Sequence, residues 1–301
     1  MPTETDPKRF LHPATIARIA SLDLRAKYVV EGFISGMHKN PFFGQSVEFV
    51  QHREYVPGDD IRHIDWKSYG RSERYTIKQY EQETNFVGHI LLDASLSMNY
   101  GEGASNKLAF AKLLAATLAY VVVHQRDTAA LNVFDDGWRA RVPASSQPGQ
   151  VMTILRKLEE IDPRDKGNIG PLLSELAQQV RRRGLVFLIS DCFDDVKSLL
   201  TGIQHLRFAG HEVTVFHTLH PDEVGFPFSG MTRFVGLEDS GRVLTRPQLI
   251  RPAYLKAMDA YLRELRAGCQ ACRADHVLVD TSVPLAVTLT AYLARRLQMM
   301  G

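Results

Sequence analysis

The run ILLDASLSM, Ile90 to Met98, ends an apolar stretch in three oxygen-bearing side chains at alternate positions: Asp93, Ser95 and Ser97. A second apolar run, LVFLIS, ends in Asp191. Carboxylates at the ends of two strands, joined by two hydroxyls, form an oxygen-only donor set. Such a set suits a hard cation, Mg2+, Mn2+ or Ca2+, rather than zinc or copper. The plainer reading is that Ser95, Ser97 or Asn99 caps a helix beginning near Ser105. Spacing alone leaves both readings open.

Other chemistries fail on spacing. GEGASNKL contains Lys107 but lacks the glycine directly before the lysine and the hydroxyl residue after it that a phosphate loop needs. Neither serine sits in G-x-S-x-G. An aspartyl-phosphate enzyme using Asp93 would place an acid two residues on, where Ser95 stands. None of the eleven histidines lies in H-E-x-x-H, and the CQAC pair has no second ligand pair for zinc. Cys192, Cys269 and Cys272 read as free thiols in a reducing compartment.

The segment EYVPGDDIRHIDWKSYGRSERY gathers Asp59, Asp60, Arg62, His63, Asp65, Lys67 and Arg71 around Trp66. A nuclease-like site would use the acids and His63 to hold metal, but a dedicated cation site would be mostly acidic. The mixed signs read as a charge-pair network around a semi-buried Trp66. Asp60, Arg62, Asp65 and Trp66 are also the candidates for contact with a protein partner. Arg181, Arg182 and Arg183 read as the end of a helix, where cations interact favourably with the dipole.

These residues need a scaffold, and the pattern supplies one. From about residue 86, bounded apolar runs (NFVGHILLD, TAALNVFDD, LVFLISD, HEVTVFHTL, HVLVDT) alternate with helical stretches. That alternation predicts an α/β fold with a mostly parallel, doubly wound sheet covered on both faces. WRARV reads as a short run after the Asp136-Gly137 turn, and TRFVGLED with GRVLTRP as a hairpin inserted near 226–246. Residues 1–85 read as an N-terminal helix followed by a small β-rich module carrying the GDD segment, and 86–301 as the α/β domain.

The chain has 36 basic and 34 acidic residues, net +2. That balance gives no general field for nucleic acid or an anionic membrane, so neither is expected as a partner. LLAATLAYVVV falls well short of the roughly 20 residues needed to span a bilayer. It reads as a buried helix, with no membrane span and a cytoplasmic location expected.

LLDASLSM, the loop RDKGNIGPLL and the strand LVFLISD together resemble a von Willebrand factor type A domain with its metal-ion-dependent adhesion site. The stretch GQSVEFVQHREYVPGDDIRHIDWKSYGRSERYTIKQYEQET resembles the hallmark segment of the bacterial domain-of-unknown-function family 58. That likeness extends over nearly the whole chain, including FPFSGMTRFVGLEDSGRVL. By position, the resemblance assigns Asp93, Ser95 and Ser97 to the first metal-binding loop and Asp191 to the third. The second loop of the family supplies a threonine; the matching residue here is Asn168, a departure that implies a weakened or water-completed Mg2+ site. The resemblance further implies a non-catalytic adaptor or co-chaperone working with a MoxR-type AAA+ ATPase, its cation taking an acidic side chain from a partner protein. The alternative is a metal-dependent hydrolase of phosphoesters using Asp93, Asp191 and the GDD segment, for which no motif places a base or nucleophile.

Overall fold

The computed structural model describes residues 21–34, 48–56, 65–72, 74–81, 86–147, 149–238 and 241–300. Asp60 and Arg62, with Asp59 and His63 beside them, lie outside the described residues.

Six strands form the central sheet: β3 (Val87–Asp93), β4 (Thr128–Phe134), β5 (Trp138–Ser145), β6 (Gly184–Ser190), β7 (Glu212–Leu219) and β10 (Asp275–Asp280). Their spatial order is β10-β7-β6-β3-β4-β5, parallel throughout except for the antiparallel edge strand β5. The chain thus runs outward from β3 to β5, then returns to lay β6 on the other side of β3. This is the doubly wound order, and its switch point lies between β3 and β6.

Both faces of the sheet are apolar because side chains alternate along each strand. Ile90, Leu92, Phe187 and Ile189 enter one core, while Leu91, Val186 and Leu188 enter the other. The first core is closed by α1 (Leu22–Ile34), α3 (Lys107–His124), α4 (Gln150–Glu159) and α9 (Leu285–Met300). The second is closed by α5 (Ile169–Gln179), α6 (Val196–Phe208) and α8 (Pro247–Ala271).

Helix α3 is long and apolar enough to cross a membrane by length and composition, yet 72% of it is buried here. It packs on the sheet and is covered in turn by α1, whose Leu22, Ala26, Val29 and Val30 join the same core. An all-round apolar helix needs partners on both sides, and α1 provides the second. The helix grouped by sequence with the first 85 residues is therefore packed into the core of the α/β body.

The small module pairs β1 (Glu48–Glu54) antiparallel with β2 (Thr76–Glu81), with α2 (Trp66–Ser72) between them. Asp65 accepts the Ser68 N–H at the start of α2 (3.2 Å), a capping role its side chain is well suited to. Trp66 is 62% exposed, not semi-buried: it sits on the first turn of a short helix and meets Tyr69 edge-on. The arginine triplet also differs from expectation. Helix α5 ends at Gln179, so Arg181 to Arg183 follow its C-cap in the link to β6 and do not form its last turn.

After β7, the short helix α7 (Pro221–Gly225) leads into the hairpin β8 (Thr232–Val235) and β9 (Arg242–Thr245), which pair antiparallel as the sequence predicts.

Candidate cation site at the sheet switch point

Strand β3 delivers Asp93 to its carboxyl end, and β6 delivers Ser190 and Asp191 to the adjacent end, since Leu92 pairs with Ile189 in parallel register. Asp93 is buried; its Oδ1 accepts the Ser95 N–H (2.9 Å) and its Oδ2 accepts the Ser190 hydroxyl (2.5 Å). The first of these folds the chain back after the strand and presents both serines above it. The Ser95 and Ser97 hydroxyl oxygens lie 3.1 Å apart. Burial, then the charge of Asp191, raise the Asp93 carboxyl to about 7; bonds from Ser190 and Ser95 oppose the rise without cancelling it.

The capping alternative does not hold. Asn106 caps α3, its Oδ1 accepting the Ala109 N–H at 3.0 Å. Ser95 begins only a 3-10 turn (Leu96–Asn99) and makes no side-chain cap bond.

A second loop crosses this one through its backbone. Arg164 N–H donates to the Ala94 carbonyl and Leu96 N–H to the Asp165 carbonyl, each at 2.9 Å. This pairing lays Gly167 against the site: a Cβ there would stand 3.7 Å from Ser95 Oγ and 4.0 Å from Asp93 Oδ2. Asn168, one residue on, is exposed and its side chain makes no cap bond at the start of α5.

Asp191 has a different partner. The Lys107 ammonium, fully buried at the first position of α3, lies 2.7 Å from Asp191 Oδ2 and 2.7 Å from Glu223 Oε1 on α7, with the Phe193 ring 5.0 Å away. A cation at a helix N-terminus opposes the dipole, so the two carboxylates must hold it there. Burial disfavours its charge, but Asp191 and Glu223 outweigh that and raise its proton affinity. Burial likewise raises Glu223, against the pull of Lys107. Glu223 also closes a capping box: its Oε2 accepts the His220 N–H at 2.8 Å. Cys192 is buried, and desolvation first, then the Asp191 charge, push its thiol well above the ordinary range, so it is not a reactive thiolate.

A cation fits part of this arrangement. Octahedral Mg2+ holds oxygens at about 2.1 Å, which puts neighbouring ligands about 3.0 Å apart, close to the Ser95–Ser97 hydroxyl separation. The elevated Asp93 carboxyl is what a buried acid without its own countercharge shows. Asp93, Ser95 and Ser97 are therefore the residues that would hold the ion. Asp191 carries an ion pair with Lys107, and Asn168 projects to solvent.

Residues 51–263 match the family described as "Protein of unknown function DUF58". The chain belongs to that family. An uncharacterized protein of Mycobacterium tuberculosis is 25% identical to this DUF58 chain over 293 residues, covering 94% of it and 90% of the relative. Among solved structures, the conserved hypothetical protein BatB from Bacteroides thetaiotaomicron is similar at TM-score 0.47 and 17% identity, over 71% of this chain and 98% of that one. The SpRpn10 VWA domain is similar at TM-score 0.41 and 12% identity, over 68% and 94% respectively. The doubly wound fold of this DUF58 chain stands on its own strand order.

Four residues of the site escaped sequence reasoning: Ser190, Lys107, Gly167 and Glu223. Ser190 precedes Asp191 and was readable as a strand end. Lys107 was weighed only against a phosphate loop. The H-P-D-E start of α7 is a legible capping pattern, but nothing in it points at Lys107.

Proposed function

We propose that this DUF58 chain is a non-catalytic protein-interaction adaptor or co-chaperone. A hard cation held by Asp93, Ser95 and Ser97 takes an acidic side chain from a partner protein. The observation that carries the reading is the pair of hydroxyls 3.1 Å apart beside a buried carboxylate, in the crevice where strand order reverses. When bound, the ion supplies an electrophilic centre for a partner's carboxylate. The chain's own residues orient the donors: Ser190 and the Ser95 amide fix Asp93, and Lys107 neutralises Asp191 so that one buried carboxylate, not two, faces the ion. A MoxR-type AAA+ ATPase as the partner rests on the resemblance of the hallmark segment to the family. Trp66, exposed on α2, is proposed as a second contact, with the buried Asp65 holding the start of that helix.

Pull-down with the purified chain, with and without EDTA, tests this. A partner retained with Mg2+, lost with EDTA and lost in Asp93→Ala supports the adaptor. Mg2+-dependent cleavage of a generic phosphoester that is lost in Asp93→Ala overturns it in favour of a hydrolase.

A further inference from the structure

The mouth of the site already receives a carboxylate from this chain. Glu238, in the turn of the β8–β9 hairpin, places Oε1 3.2 Å from the Ser97 amide nitrogen and accepts its hydrogen bond, across 141 residues of sequence. Ser97 is one of the two residues whose hydroxyls form the donor pair, so the bond brings an acid to the place where a partner's acid would approach.

The hairpin that carries Glu238 is anchored at its base by aromatic packing. At its base, Phe226 stacks on Phe234 and meets Tyr254 and Phe228, with ring centroids 4.4 to 5.5 Å apart. Helix α7 before it is tied to the site floor through Glu223 and Lys107, and Tyr254 donates to the Glu223 carbonyl at 2.8 Å. Beyond that base stand only two four-residue strands, and an isolated two-stranded hairpin is marginally stable in water. Their outward face consists of Arg233 opposite Leu244 and Val235 opposite Arg242, all exposed. Two arginines and two aliphatic side chains suit an acidic, partly apolar segment.

We propose that Glu238 is an internal stand-in for the partner's carboxylate. The hairpin closes the Ser95–Ser97 mouth, and an acidic segment of a partner engages by displacing Glu238 while lying along the Arg233–Arg242 face. This rests on the reading that the site accepts a partner's carboxylate. It adds that the resting protein is self-occupied and that affinity is set by competition with its own hairpin.

Two measurements on the full chain and its Glu238→Ala variant, which removes the acceptor altogether, test it, with acetate as the carboxylate probe. In the first, amide exchange at Ser97 is followed by NMR without metal. The variant is expected to exchange about tenfold faster, the ratio for losing one hydrogen bond to a charged acceptor. In the second, Mg2+ is titrated calorimetrically with and without acetate. Acetate tightens Mg2+ binding in the variant and leaves the wild type unchanged. Equal Ser97 exchange in the two proteins overturns the proposal, as does an acetate effect of equal size in both. If neither protein binds Mg2+, the cation reading under the proposed function fails. The exchange comparison needs no metal, so it still decides whether Glu238 closes the mouth.

Discussion

Replacing Asp93 by Asn is expected to stabilise the cation-free protein while abolishing cation binding. Asn is nearly isosteric here: its Oδ1 still accepts the Ser95 N–H, and its amide can donate to Ser190 Oγ, which already accepts from Cys192 N–H at 2.8 Å and has a second lone pair. The wild-type carboxyl holds its proton up to about 7 instead of 3.8. Ionising it in the fold therefore costs up to roughly 4 kcal/mol more than in the unfolded chain. The Ser190 hydroxyl proton loses its acceptor in the variant, a cost of about 1 kcal/mol. The net gain at pH 8 in EDTA is then about 2–3 kcal/mol. Because the folded pKa lies above the unfolded one, the wild type is favoured below 3.8 and loses that advantage as pH rises through about 7. The variant should therefore be slightly less stable near pH 4, cross over, and lead with a constant margin above pH 7. Saturating Mg2+ restores the wild type by mass action and leaves the variant unmoved. Urea denaturation followed by circular dichroism, at both pH values with EDTA and then Mg2+, measures all of this. A variant less stable than wild type at pH 8 in EDTA, or a margin that does not change with pH, refutes the reasoning.

Lys107→Met strands Asp191 and Glu223 as buried carboxylates and should cost about 3–5 kcal/mol in urea denaturation; adding Glu223→Gln recovers part of the loss. Gly167→Thr sets a hydroxyl near Asp93, since a Cβ there meets only ordinary contacts; calorimetry should show tighter Mg2+ binding than wild type, whereas Asn168→Thr leaves it unchanged. Burial, with the neighbouring His211, lowers His89 to about 4, and burial, with His276, lowers His217 to about 3. Both are neutral in the fold, so stability present above pH 6.5 falls as the unfolded chain takes up protons, by roughly 3 kcal/mol for His89 between pH 6.5 and 4; a His89→Gln variant with an unchanged pH slope in denaturant melts would contradict this.

The sheet, its covered faces and the pairing of Asp93 with the end of β6 were legible because strands impose a period of two that reads directly as burial on two faces. The hairpin was legible for a similar reason, as two short β-rich runs around a Gly-bearing turn. The placement of α1 was not: its role depends on α3 being apolar all round, and the sequence shows that excess without showing what covers it. Trp66 misled in the opposite direction. A large aromatic among charges suggests a buried hub, yet a seven-residue helix between two strands has little core to offer it.

The two loops of the site show where legibility ends. DASLS grows from a buried strand, so each residue's direction follows from the strand's phase, and Asp93 and Ser95 fall where alternation puts them. The second loop is tied down by the Ala94 and Asp165 carbonyls, backbone bonds that any residue type can make. A reading by residue type therefore selects the polar Asn168, while the crossing geometry sets Gly167 against the serines, one Cα step of about 3.8 Å away. The same holds for Lys107 and Glu238, whose partners lie 84 and 141 residues away. In a doubly wound sheet, strand ends declare the floor of a site. The groups that gate or neutralise that floor arrive on crossing loops, and only the assembled fold identifies them.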